Sequence, residues 1–459
     1  MTTANPSTRH LSFGEAPVLF LVGLNLYIAA LYLNFAITVG GFVVPGVLGL
    51  VGAVCLVNHV RNLMPTALLV AFLTLSLLAG GSGSEMFDIR LPSYVQIVVA
   101  IGCAHVLLCS MGQYMVAVRK TLLAWMLFIT VGVILEALFP AFRELSDAFR
   151  TWAFEGRFLY TYDARDLREY GFIRPSLFSQ EPSHVAKAFI VFATGWYLLA
   201  ARRRLAVLIV CTVLVTMFLR SPFVVFAVPL ALYLDRIASG RPLTRVFAAG
   251  VPLLGVIAVT FAEIFSTRWQ SIMSSNDSSF FTRYQGPFAV ARDALEQYPV
   301  FGVGIGAKEA LWEFVRDSYS RNFTDASYLY GVYLDYFNNA LANSLMFFGL
   351  IGAAVFYYLI AYWARSFGVR AIVSLPVVLL FFMLDGALEG IRMWSSIALV
   401  MGCYLVAKQA HDEHRVSGQR PERASEPPTG SSSLQFPVAR PAALPRRVLG
   451  SGTPVGRPR

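Results

Sequence analysis

Charged residues are scarce in this sequence. Only 14% of its 459 residues are Asp, Glu, Lys or Arg, whereas 56% are hydrophobic, and the mean hydropathy is +0.61. This composition argues against an ordinary soluble domain, in which about a quarter of the residues are charged. It also argues against a disordered chain, which needs low hydrophobicity. The composition therefore predicts a protein that crosses a membrane several times.

Cysteine and histidine are scarce as well, with five and six residues respectively. The cysteines lie inside apolar runs and lack the spacing of metal ligands, so we interpret them as small buried hydrophobic residues. We expect no disulfide, no metal site and no cofactor. We also expect no cleavable signal peptide, because the first 15 residues are polar and the apolar run after them is too long for one. Finally, we find no internal repeat of the kind that transporters often carry.

What the sequence does contain is a series of apolar runs, several of which reach the roughly 20 residues that cross a bilayer as a helix. They predict an all-α polytopic membrane protein with about twelve transmembrane helices. The predicted spans are 16–37, 40–58, 63–81, 94–117, 121–141, 185–201, 205–219, 221–235, 246–264, 343–363, 371–385 and 393–407.

The chain divides into a short N-terminus (1–15), a transmembrane domain (16–407) and a tail (408–459). The tail is rich in Pro, Ser, Gly and Arg, so it cannot bury a core and we expect it to be disordered. Aromatic residues do not alternate with its arginines, which argues against nucleic-acid binding.

Positive charge in the short loops predicts the orientation of the chain in the membrane. These loops are rich in arginine, and by the positive-inside rule they and both termini are cytoplasmic. Two long polar segments, 142–184 and 265–340, then face the opposite side. Loops of this length are usually functional. Helical spacing at 288–298 and 307–319 suggests helices that lie on the bilayer surface.

The stretch 174–184 closes the first of these segments and leads into an apolar run. Pro182 suits the first turn of a helix, which places Glu181 at the helix mouth and His184 within the first turn. Free N–H groups and the helix dipole favour an anion there. The alternative is a capped helix with a local ion pair, and the sequence leaves both readings open.

Four parts of the chain carry a family resemblance. In chain order they are 174–184, with its Arg…Phe-x-x-Glu-Pro-Ser pattern; 219–221, Leu-Arg-Ser; Arg283 followed by 291–295 and 298–306; and 338–343 leading to 349–352. Together they resemble the O-antigen polymerase (Wzy-type) and O-antigen ligase superfamily, over about residues 120–405. Two departures are the reversed order of arginine and serine at 220–221 and Asn338, which stands where the ligases have a histidine. Asparagine cannot take a proton, which favours a polymerase over a ligase.

The resemblance implies a glycosyltransferase of the bacterial inner membrane with a family-C-type fold and a site facing the periplasm. It would polymerise oligosaccharide repeat units carried on undecaprenyl diphosphate, without a metal ion. The implied partners are the undecaprenyl-diphosphate-linked glycan, membrane lipids, a chain-length regulator and export machinery.

This chemistry needs a base and cations for a diphosphate leaving group. Glu181 and His184 are the candidate catalytic residues, with His184 as the base and Glu181 as its rival or as a partner that orients an arginine. Arginine binds phosphate through two N–H groups at once, whereas asparagine can bind sugar hydroxyls or simply cap a helix. The candidate substrate-binding residues are Arg174, Arg220, Arg268, Arg283, Arg292, Asn338 and Asn339.

Three alternatives to a polymerase follow from the sequence. A ligase would transfer the finished glycan to lipid A core or to a protein. A lipid-linked-sugar transporter would be expected to have two similar halves and charged residues deep in several helices, neither of which the sequence indicates. A non-enzymatic scaffold would not need the arginines of the two long segments.

Overall fold

The computed structural model describes residues 16–39, 42–79, 87–112, 114–155, 159–160, 166–167, 170–200, 205–240, 280–322 and 337–418. The predicted span 246–264 and the predicted site residue Arg268 lie outside these ranges. The described residues up to His414 belong to one compact unit.

The described part of the chain is mainly helical. Its α-helices are α1 (Val18–Leu33), α2 (Val47–Leu56), α3 (Met64–Ala79), α4 (Phe87–Met111), α5 (Met115–Leu138), α6 (Pro140–Ala153), α7 (Pro182–Leu199), α8 (Leu205–Leu219), α9 (Ala227–Ala238), α10 (Gly286–Gln297), α11 (Trp312–Asn322), α12 (Ala340–Ser366), α13 (Ala371–Leu384) and α14 (Ile391–Gly418). Single turns of tighter or wider helix lie at Val57–His59, Pro222–Phe226, Phe281–Gln285 and Glu309–Leu311. One antiparallel hairpin joins β1 (Ala36–Val39) to β2 (Phe42–Pro45).

Four of these helices are long and apolar enough to cross a membrane. They are α4 from Arg90 onwards, α5, α12 and α14 up to Glu413. Shorter apolar helices occupy Val18–Leu33, Val47–His59, Met64–Ala79, Leu205–Leu219 and Ala371–Leu384. The predicted all-α membrane class is therefore confirmed in its coarse form for the described residues, apart from the small hairpin. The number of crossings, about twelve from the apolar runs of the sequence, stays a prediction.

Some predicted boundaries differ from the structure. The hairpin occupies the start of the predicted span 40–58, since β-branched residues at 37–39 and 43–44 favour extended backbone. The charged pair Arg119-Lys120 was predicted to be a loop, but it lies inside α5, and the helix break comes earlier, after Met111. The last helix continues beyond the predicted end at 407 to Gly418.

Helix α7 is the most enclosed element of the site region. Its side chains from Ala188 to Leu199 are all buried. A helix that is apolar around its whole circumference must be covered on every side, and α7 packs against α5, α8 and α9. Residues at its N-terminus are therefore held in a fixed position relative to the protein core.

A buried carboxylate holds the loop that leads into α7. Glu136, in the last turns of α5, accepts hydrogen bonds from the backbone N–H groups of Ser176 (2.9 Å) and Leu177 (2.7 Å). Leu177 and Phe178 have positive φ angles of 41° and 62°. This strained turn persists because its N–H groups have a fixed acceptor, and the loop therefore enters α7 along a defined path.

A second loop fits into a break in α12. The helix is interrupted at Gly349, where φ is 64° and ψ is −171°. The N–H groups of Val303 and Gly304 donate to the carbonyls of Met346 (3.0 Å) and Phe347 (2.9 Å), which the break leaves without helical partners. The segment 298–306 thus satisfies the interrupted backbone of α12 and is anchored by it.

Candidate active site

Glu181 occupies the N-cap position of α7 with extended backbone (φ −151°, ψ 156°). Its side chain accepts no capping hydrogen bond from the helix backbone. Its carboxylate instead accepts two hydrogen bonds from Nη2 of Arg283, at 3.0 and 3.2 Å, and one from the hydroxyl of Ser183. The capping part of the alternative therefore does not describe Glu181, whereas the local pairing that it includes is present between Glu181 and His184.

The pair of Glu181 and Arg283 joins the two long polar segments, because the two residues are 102 positions apart in the chain. Arg283 lies in the wide helical turn Phe281–Gln285, directly before α10. Asn339 extends this contact, since its side-chain amide donates to the backbone carbonyl of Arg283 at 3.0 Å. The oxygen of this side-chain amide, Oδ1, caps α12 by accepting from the N–H of Ala342 at 3.0 Å.

His184 contacts the same carboxylate from the first turn of α7. Its Nε2 atom lies 3.2 Å from Oε1 of Glu181. Its Nδ1 atom is buried and has no hydrogen-bond partner in the described part of the chain. A carboxylate can only accept, so the neutral imidazole carries its proton on Nε2 and presents a lone pair at Nδ1.

A second ion-pair cluster lies beside this dyad, and the sequence analysis did not identify it. Lys187 lies one turn after His184, and its Nζ is 3.5 Å from Oδ1 of Asp385. Arg392 approaches the same carboxylate through Nε and Nη2, at 3.4 Å each. Asp385 follows α13 and Arg392 lies in the first turn of α14, so this cluster connects α7 to the last two helices.

The N-termini of three helices meet at this place. Helix α7 begins at Pro182, α12 at Ala340 and α14 at Ile391. The N–H of Ala340 donates to the backbone carbonyl of Asp385 at 3.1 Å, which brings the start of α12 to the end of α13, and the contact of Arg392 with the Asp385 carboxylate adds the start of α14. Helix N-termini carry partial positive charge, so their meeting adds to the positive potential of the site.

Electrostatics assign different protonation states to the acids and the imidazole. Burial opposes ionisation of Glu181 and Asp385, but Arg283 near Glu181, and Lys187 and Arg392 near Asp385, outweigh it and hold both pKa values well below their usual range. Burial, reinforced by the charge of Arg392, lowers the pKa of His184 well below its usual value. At neutral pH the site therefore combines two carboxylates with a neutral imidazole.

Arg174 and Arg220 both contact aromatic residues of the loop that precedes α7. Arg174 pairs with the buried Asp166 at 3.0 Å, and its guanidinium lies 4.4 Å from the centre of the Tyr170 ring. Arg220 donates to the backbone carbonyl of Tyr170 and lies 4.6 Å from the centre of the Phe172 ring. Both guanidinium groups thus hold the loop that precedes α7.

The other predicted site residues are placed differently. Arg292 lies on α10 with 66% of its side chain exposed and pairs with the adjacent Asp293 at 3.0 Å. Asn338 packs against Gly386, where an added Cβ would lie 3.1 Å from its Oδ1 atom, and so borders the Asp385 cluster. No group of three His, Cys, Asp or Glu side chains suited to a metal ion is found within the described ranges.

The sequence did contain a signal for the second cluster. Lys187 is the one charged residue between His184 and Leu199, in an otherwise apolar run. Asp385 and Arg392 flank a short polar break between two apolar runs. Ionisable residues in or next to membrane spans are functional candidates by default, and that rule identifies all three.

Comparisons with protein-family models, with curated proteins and with solved structures find no match to this chain.

Proposed function

We propose that this protein is a membrane glycosyltransferase that polymerises undecaprenyl-diphosphate-linked repeat units at the periplasmic face of the bacterial inner membrane. The observation that supports this proposal best is the buried, unpartnered Nδ1 atom of His184, whose ring is held by Glu181 beside three cations. A neutral imidazole fixed by a carboxylate is the usual arrangement for a general base.

The reaction uses these groups in separate roles. The acceptor hydroxyl gives its proton to Nδ1 of His184 while its oxygen forms a bond to the anomeric carbon of the donor sugar. The bond between that carbon and the phosphate oxygen breaks, and the electron pair leaves with the lipid diphosphate. The carboxylate of Glu181 stabilises the imidazolium that forms. Arg283, which is paired with Glu181, stabilises the negative charge that develops on the leaving diphosphate.

The geometry favours His184 over Glu181 as the base. The carboxylate of Glu181 is engaged with Arg283 and His184, at 3.0 and 3.2 Å. Both oxygens of that carboxylate are therefore occupied, whereas Nδ1 of His184 has a lone pair that no group in the described part of the chain engages. Glu181 then serves as the residue that orients the ring.

The test uses purified protein in vesicles that contain undecaprenyl-diphosphate-linked repeat units, with laddered glycan as the product. His184→Gln should lower the rate by a factor of about 10² to 10⁴, because it removes the base. His59→Gln is the matched control, since His59 is distant from His184 in the sequence and its ring hydrogen-bonds the Leu56 carbonyl. A normal ladder from a folded His184→Gln protein would refute the proposed mechanism.

A second candidate function is transport of the lipid-linked sugar. The buried ion pairs of Asp385 with Lys187 and Arg392 are a specific observation in its favour. Transporters carry ionisable residues of this kind within their membrane-spanning helices. The same vesicles distinguish the candidates. Transfer of labelled lipid-linked sugar between leaflets without chain growth indicates a transporter. A ligase is indicated if, once lipid A core or an acceptor protein is added, a single transfer to it occurs without a ladder.

A further inference from the structure

Arg392 has one donor group that the protein does not use. Its Nε and Nη2 atoms face Asp385, whereas Nη1 is buried and has no hydrogen-bond partner among the described residues. Leaving a buried charged donor unpaired is costly. One edge of the guanidinium is thus fixed by a carboxylate, and the N–H groups of Nη1 are left to donate to a ligand.

The local charge indicates which kind of ligand. Lys187 and Arg392 share the single carboxylate of Asp385, while Glu181 is paired with Arg283. Three cations therefore face two carboxylates in a buried site. The N-termini of α7, α12 and α14 add further positive potential. An anion would offset this excess of positive charge, and a neutral ligand would not.

We propose that Arg392 binds an oxyanion of the phosphate class through Nη1, with Lys187 beside it and Asp385 positioning both cations. The binding of an oxyanion follows from the geometry alone, and the choice of phosphate rests on the proposed function. The phosphate comes either from a lipid diphosphate headgroup or from free phosphate in solution. Arg392 is thereby a second phosphate-binding residue in addition to Arg283, from a different part of the chain.

The experiment measures binding of inorganic pyrophosphate to the purified full-length protein by calorimetry, and binding of undecaprenyl diphosphate in nanodiscs. Arg392→Gln should weaken binding at least about 10-fold, the effect of losing one charge-assisted contact of about 1.5 kcal/mol or more. Arg392→Lys should also weaken it, because an ammonium cannot face Asp385 and the phosphate with one fixed fork. Arg316→Gln is the matched control, since Arg316 is 58% exposed and pairs with Asp317 at the surface.

The outcomes separate the sources and decide the proposal. If binding is weakened in Arg392→Gln, the two probes distinguish the sources. Binding of both probes then indicates a site open to free phosphate, and binding of the lipid alone indicates a headgroup site. Unchanged affinity in a folded Arg392→Gln protein, or no binding of either probe to the wild type, overturns the proposal. If the Gln variant does not fold, the Lys variant decides in the same way. A protein that binds pyrophosphate through Arg392 but forms no ladder keeps this inference and loses the proposed function.

Discussion

The imidazole of His184 has four charged neighbours. They are Glu181 and Lys187 on its own helix, Asp385 before α14 and Arg392 within α14. The two acids favour the imidazolium and the two cations oppose it. Burial and Arg392 dominate, so the folded protein keeps the ring neutral and His184 retains a lone pair for chemistry.

This balance predicts how the stability of the protein depends on pH. Because the pKa of His184 is lower in the folded state than the value of about 6.5 in the unfolded chain, the unfolded state binds more protons below that pH. The stability that the neutral ring contributes is complete above pH of about 6.5 and is lost as the pH falls towards the folded pKa, by at most about 1.4 kcal/mol per pH unit.

The measurement is the melting temperature in detergent between about pH 7.5 and about pH 5.5, a range within which histidine ordinarily titrates. The carboxylates of Glu181 and Asp385 do not interfere, because their unfolded pKa values are about 4. We expect His184→Gln to flatten the decline that the wild type shows and His59→Gln to leave it unchanged. Equal slopes for His184→Gln and wild type would contradict the assignment.

At the scale of single elements, the break in α12 depends on two glycines. Gly349 has φ of 64°, and a Cβ added there would lie 2.5 Å from the backbone carbon of Val300. Gly302 has φ of 65°, and its Cβ would lie 2.4 Å from the carbonyl oxygen of Met346. Both positions exclude side chains through backbone conformation and through lack of space.

Gly349→Ala should therefore lower the melting temperature strongly, by the equivalent of several kcal/mol, on the order of the combined costs of strain and overpacking. Gly102→Ala is the matched control. Gly102 lies inside α4, and a Cβ added there meets no atom within 4 Å, so alanine should be neutral or stabilising by up to about 1 kcal/mol. A Gly349→Ala protein that melts like the wild type would show that the loop 298–306 does not fit the break as described.

Helix α6 has an apolar stripe that the rest of the described chain leaves uncovered. Leu145 and Trp152 on this stripe are 59% and 74% exposed, and Ala141 and Ala148 complete its helical spacing. The helix follows directly on α5, which is long and apolar enough to span a membrane. These features are typical of a helix that lies in the membrane interface.

Lipids brominated along the acyl chain test this placement. We expect them to quench a fluorescence component that is present in the wild type and missing from Trp152→Phe, because the indole would lie at the headgroup level. Trp196→Phe is the control, since the Trp196 side chain is buried within α7. If soluble acrylamide quenches the Trp152 component and the brominated lipids do not, α6 faces water.

The predicted position of two helical segments on the bilayer surface stays a prediction. Helical spacing suggested this position for 288–298 and 307–319. In the structure, the apolar residues Val290, Leu311 and Val315 of these segments are buried in the protein. Periodicity identifies an apolar face but does not say what covers it. The covering comes from residues distant in the chain, which a local pattern cannot reveal.

The same limit explains how much of the site could be predicted. Glu181 and His184 were placed correctly at one helix start, because Pro182 and the following apolar run determine that start locally. The pairing of Glu181 with Arg283 spans 102 positions and leaves no trace in local periodicity. For the fold, the helix Leu205–Leu219 matches its predicted span, since polar residues bound that apolar run on both sides.

At the scale of the whole molecule, three helices begin at the same place. Helices α7, α12 and α14 all begin at the candidate site. Basic residues lie at or beyond their opposite ends: Arg202 follows α7, Arg365 is in the last turn of α12 and Lys408 lies late in α14. The positive-inside rule therefore predicts that the C-terminal ends of these helices lie in the cytoplasm and the candidate site on the opposite side.

Reporter fusions test this arrangement directly. A reporter fused after Glu413, near the end of α14, should read cytoplasmic, and fusions after Arg204 and Arg245 should agree with it. A reporter inserted after the exposed Ser320 of α11 should read periplasmic. The reason is the ion pair of Glu181 and Arg283, which requires the two long segments to lie on the same side of the membrane. A cytoplasmic reading after Ser320 would separate the halves of the site, and the proposed base His184 and the cation of Arg283 could not then take part in the same reaction.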